Sequence, residues 1–377
     1  MPLPDDVQVV SVDDHVIEHR TVWQDRLPAR FREAGPRNVK DDQGRDVWMF
    51  EGRPHYNGGL GAVAGKDKKD YGLDPTSYDE MLPGCYDPAA RVKDMDADGI
   101  WAQLPFPTFP GFAGSTLFAA DDKELATACV AAYNDFMIDE WCAYSPERQI
   151  PLVLVPFWDV QAATREVERV AAKGAKAITF TEAPHALGLP SFHSDHWDPF
   201  LAAAQDADLP LCLHFGSGGV PAVAPDSPFI VSIALFGLNS QQTTVDLLLS
   251  PVFRKFPRLK VALSEGGIGW MPYILERTDY SWDRHRWYQD VDRETRPSDI
   301  FRDHIFGCFI ADEAGLRNLD LIGEDNVMFE GDYPHSDSNW PNSRKMLAES
   351  LIDVPDDTAR KIAELNARRV FNFPRKG

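Results

Sequence analysis

The sequence predicts an α/β chain, a distorted (β/α)8 TIM barrel with an N-terminal insertion after strand one. Three observations lead there. Short runs rich in Val, Ile, Leu and Phe recur along the 377 residues, each followed by a stretch of helical character. The runs are apolar almost without interruption, as expected of strands buried on both faces in a parallel sheet. Eight can be placed, which suits a closed barrel better than an open sheet. No Gly/Ser-rich linker divides the chain, so residues 1–377 read as a single domain.

The elements follow in order. Residues 7–12 form the first strand. Residues 21–34 have helical spacing, and 46–52 with 53–58 read as an irregular hairpin, so 20–85 is expected to be an insertion over the barrel mouth. Asp87-Pro88 opens a helix over 87–98, with Asp at the cap and Pro in the first turn. Strand two is 101–104, and an amphipathic helix spans 122–141. Strand three is 150–157, bracketed by Pro151 and Pro156; a helix over 161–173 stops at Lys173-Gly174. Strands four to eight are placed at 177–181, 211–214, 260–264, 305–310 and 327–329. The helices between and after them are expected at 198–207, 230–249, from about Trp270, at 313–322 and at 357–371.

Composition narrows the function. Lys and Arg number 38 against 59 Asp and Glu, a formal charge of -21. Nucleic acid is excluded as a partner, because its phosphates need a basic surface, and an anionic membrane surface is disfavoured. Five cysteines with no CxxC spacing fit reduced thiols of the cytoplasm better than a disulfide frame. The first ten residues, MPLPDDVQVV, lack the pattern of a secretory leader, and no apolar run is long enough to span a bilayer.

Chemistry in such barrels gathers at the C-terminal ends of the strands. Strand one runs into Asp13-Asp14-His15-Val16-Ile17-Glu18, where residues i and i+2 share a face, so Asp13 and His15 project together. Strand four ends in Glu182, strand five in His214, strand six in Ser264-Glu265 and strand eight in Glu330-Gly331-Asp332-Tyr333-Pro334-His335. Singly, each has an ordinary explanation as a turn acid, a helix cap or a hydrogen-bonded core histidine. Five strand ends converging on one mouth with acids and imidazoles are better explained by a cation that compensates the clustered charge. No GxSxG elbow or P-loop exists; Gly216-Ser217-Gly218-Gly219 lacks the lysine of a phosphate cradle. Cys212 reads as a core thiol.

Several segments together resemble a known family: Ser11-Val12-Asp13-Asp14-His15-Val16-Ile17-Glu18, Leu213-His214-Phe215-Gly216, Leu263-Ser264-Glu265-Gly266-Gly267-Ile268-Gly269-Trp270-Met271-Pro272, Gly331-Asp332-Tyr333-Pro334-His335 and Asn366-Ala367-Arg368-Arg369-Val370-Phe371. They resemble the amidohydrolase-related proteins, in the superfamily branch that contains aminocarboxymuconate-semialdehyde decarboxylase, and run in order from residue 11 to residue 371. The resemblance implies a distorted barrel and a divalent metal, zinc or manganese, with Asp13, His15, His214 and Asp332 as ligands. Two features depart from it. Asp13-x-His15 stands where many relatives carry His-x-His or Glu-x-His. Glu265 stands where the decarboxylase has a catalytic His, and it can be a base, a metal ligand or a structural carboxylate.

The chemistry so implied is that of a metal-activated water. Asp332 would accept its proton, and Glu265 or His335 would protonate the leaving atom; the outcome is hydrolysis, hydration or loss of a carboxylate. Trp101, Phe106, Trp270 and Trp340, with Phe109 and Phe112, are expected to wall a site for a small aromatic or alicyclic acid. A second reading adds Glu18, Glu182 and Glu265 as ligands of a second ion, manganese or iron, for oxygen-activating hydroxylation. A third is a non-catalytic barrel subunit of a hetero-oligomer. A homodimer or larger oligomer is the expected assembly.

Overall fold

In the computed structural model, residues 3–375 are described, and eleven strands among them fall into three sheets. In chain order these are β1 (Val10–Val16), β2 (Arg37–Lys40), β3 (Asp46–Phe50), β4 (Arg53–His55), β5 (Ala102–Pro107), β6 (Leu152–Val153), β7 (Ala177–Phe180), β8 (Leu211–His214), β9 (Val261–Ser264), β10 (Ile305–Phe309) and β11 (Val327–Phe329). β1 pairs in parallel with β5, and β6 to β11 form a six-stranded parallel sheet in sequence order. All eight apolar runs are therefore strands that alternate with helices, a TIM-barrel-like α/β fold.

Among the described residues the ladder does not close into a barrel; the pairing stops at two joins. Between β5 and β6 it shrinks to one bridge, in which Gln103 N–H donates to Arg148 O (3.0 Å) and Ile150 N–H to Gln103 O (2.8 Å). Between β11 and β1, Asp332 N–H donates to Asp13 O (2.7 Å) and His15 N–H to Tyr333 O (2.6 Å). Proline accounts for the first break. Pro105 and Pro107 in β5, and Pro151 and Pro156 around β6, have no N–H for a ladder, so the run at 150–157 pairs only at Leu152–Val153.

Strand alternation sorts the core. Val10, Val12, Leu104, Phe106, Cys212, Ala262, Phe306, Cys308 and Met328 pack together inside the ring of strands, with Ala367 and Val370 of the last helix and Phe371 just beyond it. Their neighbours Leu211, Leu213, Val261, Leu263, Val327 and Phe329 pack outward against helices such as Val160–Lys173, Asp198–Asp206 and Met271–His285. Several expected helices are broken. The stretch at 230–249 divides into Phe229–Ala234 and Gly237–Leu249, and that at 122–141 is Lys123–Phe136 continued by a π-turn over Met137–Trp141.

Residues 37–55 form an antiparallel sheet of three strands rather than one hairpin. Its central strand is tied by buried Asp46, which takes Arg20 and Lys40, and Trp48 packs edge-on against Trp23 at 5.1 Å. Beyond it, the N–H groups of Val63 and Ala64 both donate to Pro334 O, at 2.9 and 3.2 Å. All five cysteines are buried and free. No helix among the described residues is long and apolar enough to cross a membrane.

Candidate metal centre

The site begins with a register shift. Val10 and Val12 face the interior, so strict alternation would send Asp14 there and turn Asp13 and His15 away. The β1–β5 pairing shifts between Ser11 and Asp14, and an irregularity of this kind re-aims the side chains that follow it. Asp13 and His15 thereby join His214, whose ligand atoms lie within 4.8 Å of theirs. Asp14 turns the other way and accepts from Tyr333 N–H at 2.8 Å. The end of β11 approaches closely here: Gly331 N–H donates to Ser11 Oγ at 2.8 Å, and a Cβ at Gly331 would meet Asp14 Oδ1 at 3.1 Å.

Asp13, His15, His214 and Asp332 form one buried cluster. His15 Nε2 lies 3.4 Å from Asp13 Oδ1 and 3.3 Å from Asp332 Oδ1, and His214 Nε2 lies 3.7 Å from Asp13 Oδ2. Both oxygens of Asp13, both of Asp332 and the Nε2 atoms of His15 and His214 are buried without a hydrogen-bond partner. His214 Nδ1 is 2.8 Å from Phe215 O; a carbonyl only accepts, so Nδ1 carries the proton and Nε2 turns its lone pair to the cluster. Six unpartnered donor atoms of oxygen and imidazole nitrogen, all buried, fit a divalent cation.

Electrostatics agree with an ion. Burial and the carboxylates of Glu330, Glu265 and Asp332 hold Asp13 well above the ordinary carboxylate range. Burial, with the charge of His335, holds His15 well below the usual imidazole value, so it is a neutral donor. Asp332 is driven down despite its burial, because His335 and His15 face it. His335 is held up, against its own desolvation, by Asp332, with Nδ1 3.1 Å from Oδ1; its ring stacks on His15 at 3.6 Å. Glu265 Oε2 lies 3.1 Å from His214 Nε2, and burial and Asp332 push its carboxyl up to about 7.

The remaining expected ligands go elsewhere. Glu18 is corrected: its two oxygens accept from Thr108 N–H (3.0 Å) and Phe109 N–H (2.9 Å), the work of a loop clamp. Glu182 is outside the cluster too, taking Asn239 Nδ2 at 2.7 Å, while Ser217 Oγ accepts from its backbone N–H. Among the described residues the two candidate ligand groups, Asp13–His15–His214 and His15–Asp332–His335, share His15, so they are one locus.

The aromatic wall divides. Phe106 is fully buried under the cluster, 5.8 Å from the His15 ring and 5.1 Å from His214, and Phe112 stacks on His214 at 4.1 Å. Trp101 is corrected, since it precedes β5 and so lies at the end of that strand away from the site, under Arg148. Trp270 closes the turn after β9, its indole N–H donating to Gly266 O at 2.8 Å. Trp340 folds back onto the helix Pro88–Asp98, donating to Asp94 O at 3.0 Å.

Two supporting residues were absent from the expected set. Arg91 is fully buried and donates to Gly84 O (2.6 Å), Gln103 Oε1 (3.0 Å) and His15 O (2.5 Å). Glu330 accepts from Glu265 N–H (3.0 Å) and Cys308 Sγ (2.5 Å). The only sequence signal for Glu330 is an acid two residues before Asp332 at the end of an apolar run. Arg91 in the middle of a polar helix gives none.

Comparison with known proteins places the chain among relatives of like length. A family model described as "Amidohydrolase" matches residues 19–373. A gamma-resorcylate decarboxylase of Rhizobium radiobacter is 24% identical over 305 residues, covering 74% of this chain and 87% of the relative. An amidohydrolase of Mycobacterium avium subsp. paratuberculosis K-10 superposes with a TM-score of 0.74 at 21% identity, over 97% of this chain and 99% of that one. A 5-carboxyvanillate decarboxylase of Novosphingobium aromaticivorans, solved with manganese and 4-hydroxy-3-methoxy-5-nitrobenzoic acid, does so at 0.67 and 20% identity, over 98% and 97%.

Proposed function

The chain belongs to the amidohydrolase family, and from that premise we propose that it is a decarboxylase of a small aromatic carboxylic acid, dependent on one manganese or zinc ion. The buried cluster of Asp13, His15, His214 and Asp332, with six unpartnered ligand atoms, carries the reading. The named activities of the relatives give it direction: two of the three act on carboxylated phenols. A second ion is not favoured, because both oxygens of Glu18 and one of Glu182 are engaged in other contacts.

Those four residues would hold the ion, which supplies Lewis-acid stabilisation to the substrate's carboxylate and adjoining oxygen when bound. Decarboxylation breaks one C–C bond; carbon dioxide departs and the electron pair left on the ring carbon takes a proton. His335 is the proton source in this reading, held protonated by the ionised Asp332, whose Oδ1 lies 3.1 Å from its Nδ1. Glu265 beside His214, with a carboxyl near neutrality, is the second carrier. Phe106 and Phe112 keep water from the ligand face. Residues 20–85 would cover the mouth of a single catalytic domain, with Gly61 beside His335. Buried reduced thiols support a cytoplasmic setting.

The test has two parts. Elemental analysis of the isolated protein should find about one manganese or zinc per chain, and incubation with hydroxylated benzoates should release carbon dioxide with loss of the acid's absorbance. His15→Ala and His214→Ala should remove both the metal and the turnover. Wild-type metal content and turnover in either variant would sink the assignment.

A further inference from the structure

Glu182 is only 2% exposed, yet half of its carboxylate has no partner. Oε1 accepts from Asn239 Nδ2 at 2.7 Å and from Gly218 N–H at 3.4 Å. Oε2 is buried and meets no donor. An acceptor in that position has lost its water without replacement, which costs more for a carboxylate than for a neutral group. The bonds that tie this corner of the fold together do not use it. Thr181 Oγ1 donates to Ser217 O (3.0 Å), Glu182 N–H to Ser217 Oγ (3.0 Å), Thr243 Oγ1 to Glu182 O (3.1 Å) and Asn239 Nδ2 to Gly219 O (2.7 Å).

The surroundings of this oxygen belong to the mouth of the site. β7 pairs with β8 so that Phe180 lies opposite Leu213, which puts Glu182 about level with His214. The segment Gly216–Gly219, against which its carboxylate rests, leaves directly from His214, and His214 is near enough to act on its charge. A Cβ at Gly216 would touch Phe112 at 3.4 Å, and Phe112 stacks on His214. On the side towards β9, Asn239 Oδ1 and Ser240 Oγ are also buried without partners. Ser240 packs so close to Gly266, the residue after Glu265, that a Cβ there would collide with its hydroxyl. Unpartnered oxygens thus lie between the strand ends that carry His214 and Glu265. Among the described residues Glu182 joins neither group of candidate metal ligands, and its unpartnered neighbours are an amide and a hydroxyl. What this corner lacks is a hydrogen-bond donor.

We propose that Glu182 determines specificity: its Oε2 accepts a hydrogen bond from a hydroxyl on the substrate's ring, at a position away from the carboxylate that leaves. This rests on the reading of the site as one for a small aromatic acid. A ring ether or halogen there has no proton to give, and a second carboxylate adds repulsion, so acids of those kinds are rejected.

The test is isothermal titration calorimetry on the full chain loaded with manganese. The probes are dihydroxybenzoates with the second hydroxyl at each ring position in turn, each paired with the ether in which a methyl group caps that hydroxyl. At one position wild type should bind the hydroxyl form about ten-fold or more tighter than the ether. Glu182→Gln, which presents an amide N–H in place of Oε2, should bring that ratio to about one or invert it, with metal content and circular dichroism unchanged. Glu182→Asp, which keeps a carboxylate, should retain a preference for the hydroxyl. A wild type that binds both members of every pair equally overturns the proposal. So does a ratio that survives Glu182→Gln, or a second manganese per chain that this variant loses. Binding is read without turnover: a protein that discriminates in this way but releases no carbon dioxide would sink the proposed reaction and leave the role of Glu182 standing.

Discussion

Arg91 offers the sharpest test of how the site is held. Its guanidinium is fully buried with no carboxylate at ion-pair distance among the described residues, and it spends its donors on Gly84 O, Gln103 Oε1 and His15 O. Arg91→Met keeps most of the volume and removes all three bonds. A buried acceptor left without a donor costs about 1–3 kcal/mol, so three cost about 3–9 kcal/mol, and eliminating a desolvated charge returns part of that. The expected net loss is about 3 kcal/mol, with Arg91→Lys falling between the two because an ammonium cannot reproduce the fork. Urea unfolding followed by tryptophan fluorescence measures it. A loss under about 1 kcal/mol for Arg91→Met would mean that water or a backbone shift satisfies these acceptors, and the claim that Arg91 pins the His15 backbone would fail.

Three other outcomes are expected. Chelation should lower thermal stability, by about 4 kcal/mol if the ion was held a thousand-fold above its dissociation constant, and added manganese should restore it; an unchanged melting curve would speak against a structural ion. Glu18 is raised by burial to about 7 from an ordinary 4.5; its folded form therefore keeps a proton that its unfolded form loses, so its contribution to stability is full below about pH 4.5 and falls as pH rises to about 7. The stability of Glu18→Gln relative to wild type should accordingly improve by about 3 kcal/mol between pH 4.5 and 8, and a flat difference would show that Glu18 is ionised throughout. Glu330→Met should cut kcat by about ten-fold or more with metal content and KM kept, because Glu265 N–H loses its acceptor, whereas Glu330→Gln retains one and should recover most of the rate.

Much of the fold was legible because the strands are pure in composition. Runs such as 211–214 and 261–264 admit no other reading once eight of them alternate with helices. What the sequence hid was local. Trp101 reads as the first residue of strand two, but the strand begins one residue later, at Ala102, which leaves Trp101 at the end away from the site. Glu18 carries the same chemistry as Asp13, yet two backbone N–H groups of the Thr108–Phe109 turn claim its oxygens. No periodicity reveals such a partner, since residues 18 and 108 meet only through the fold.

The Asp13–His15 pair on β1 shows where pattern reasoning reaches its limit and why the limit falls at the candidate site. Alternation establishes that Asp13 and His15 share a face, but not which face. Val10 and Val12 vote for Asp14, and the register shift after Ser11 overrules them. The other two acids of the site are set by backbone irregularity as well: Glu265 and Asp332 each follow a strand with φ of 55° and 53°, a region that side chains avoid at about 1 kcal/mol or more. Regular strands would send every second residue into an apolar interior. Breaking the regularity at three strand ends is what turns three carboxylates into that interior at one level, where they are stable only beside a compensating charge. The irregularities and the proposed cation thus account for each other, and a chain that lost the proposed ligands would have no remaining reason to keep the strained backbone.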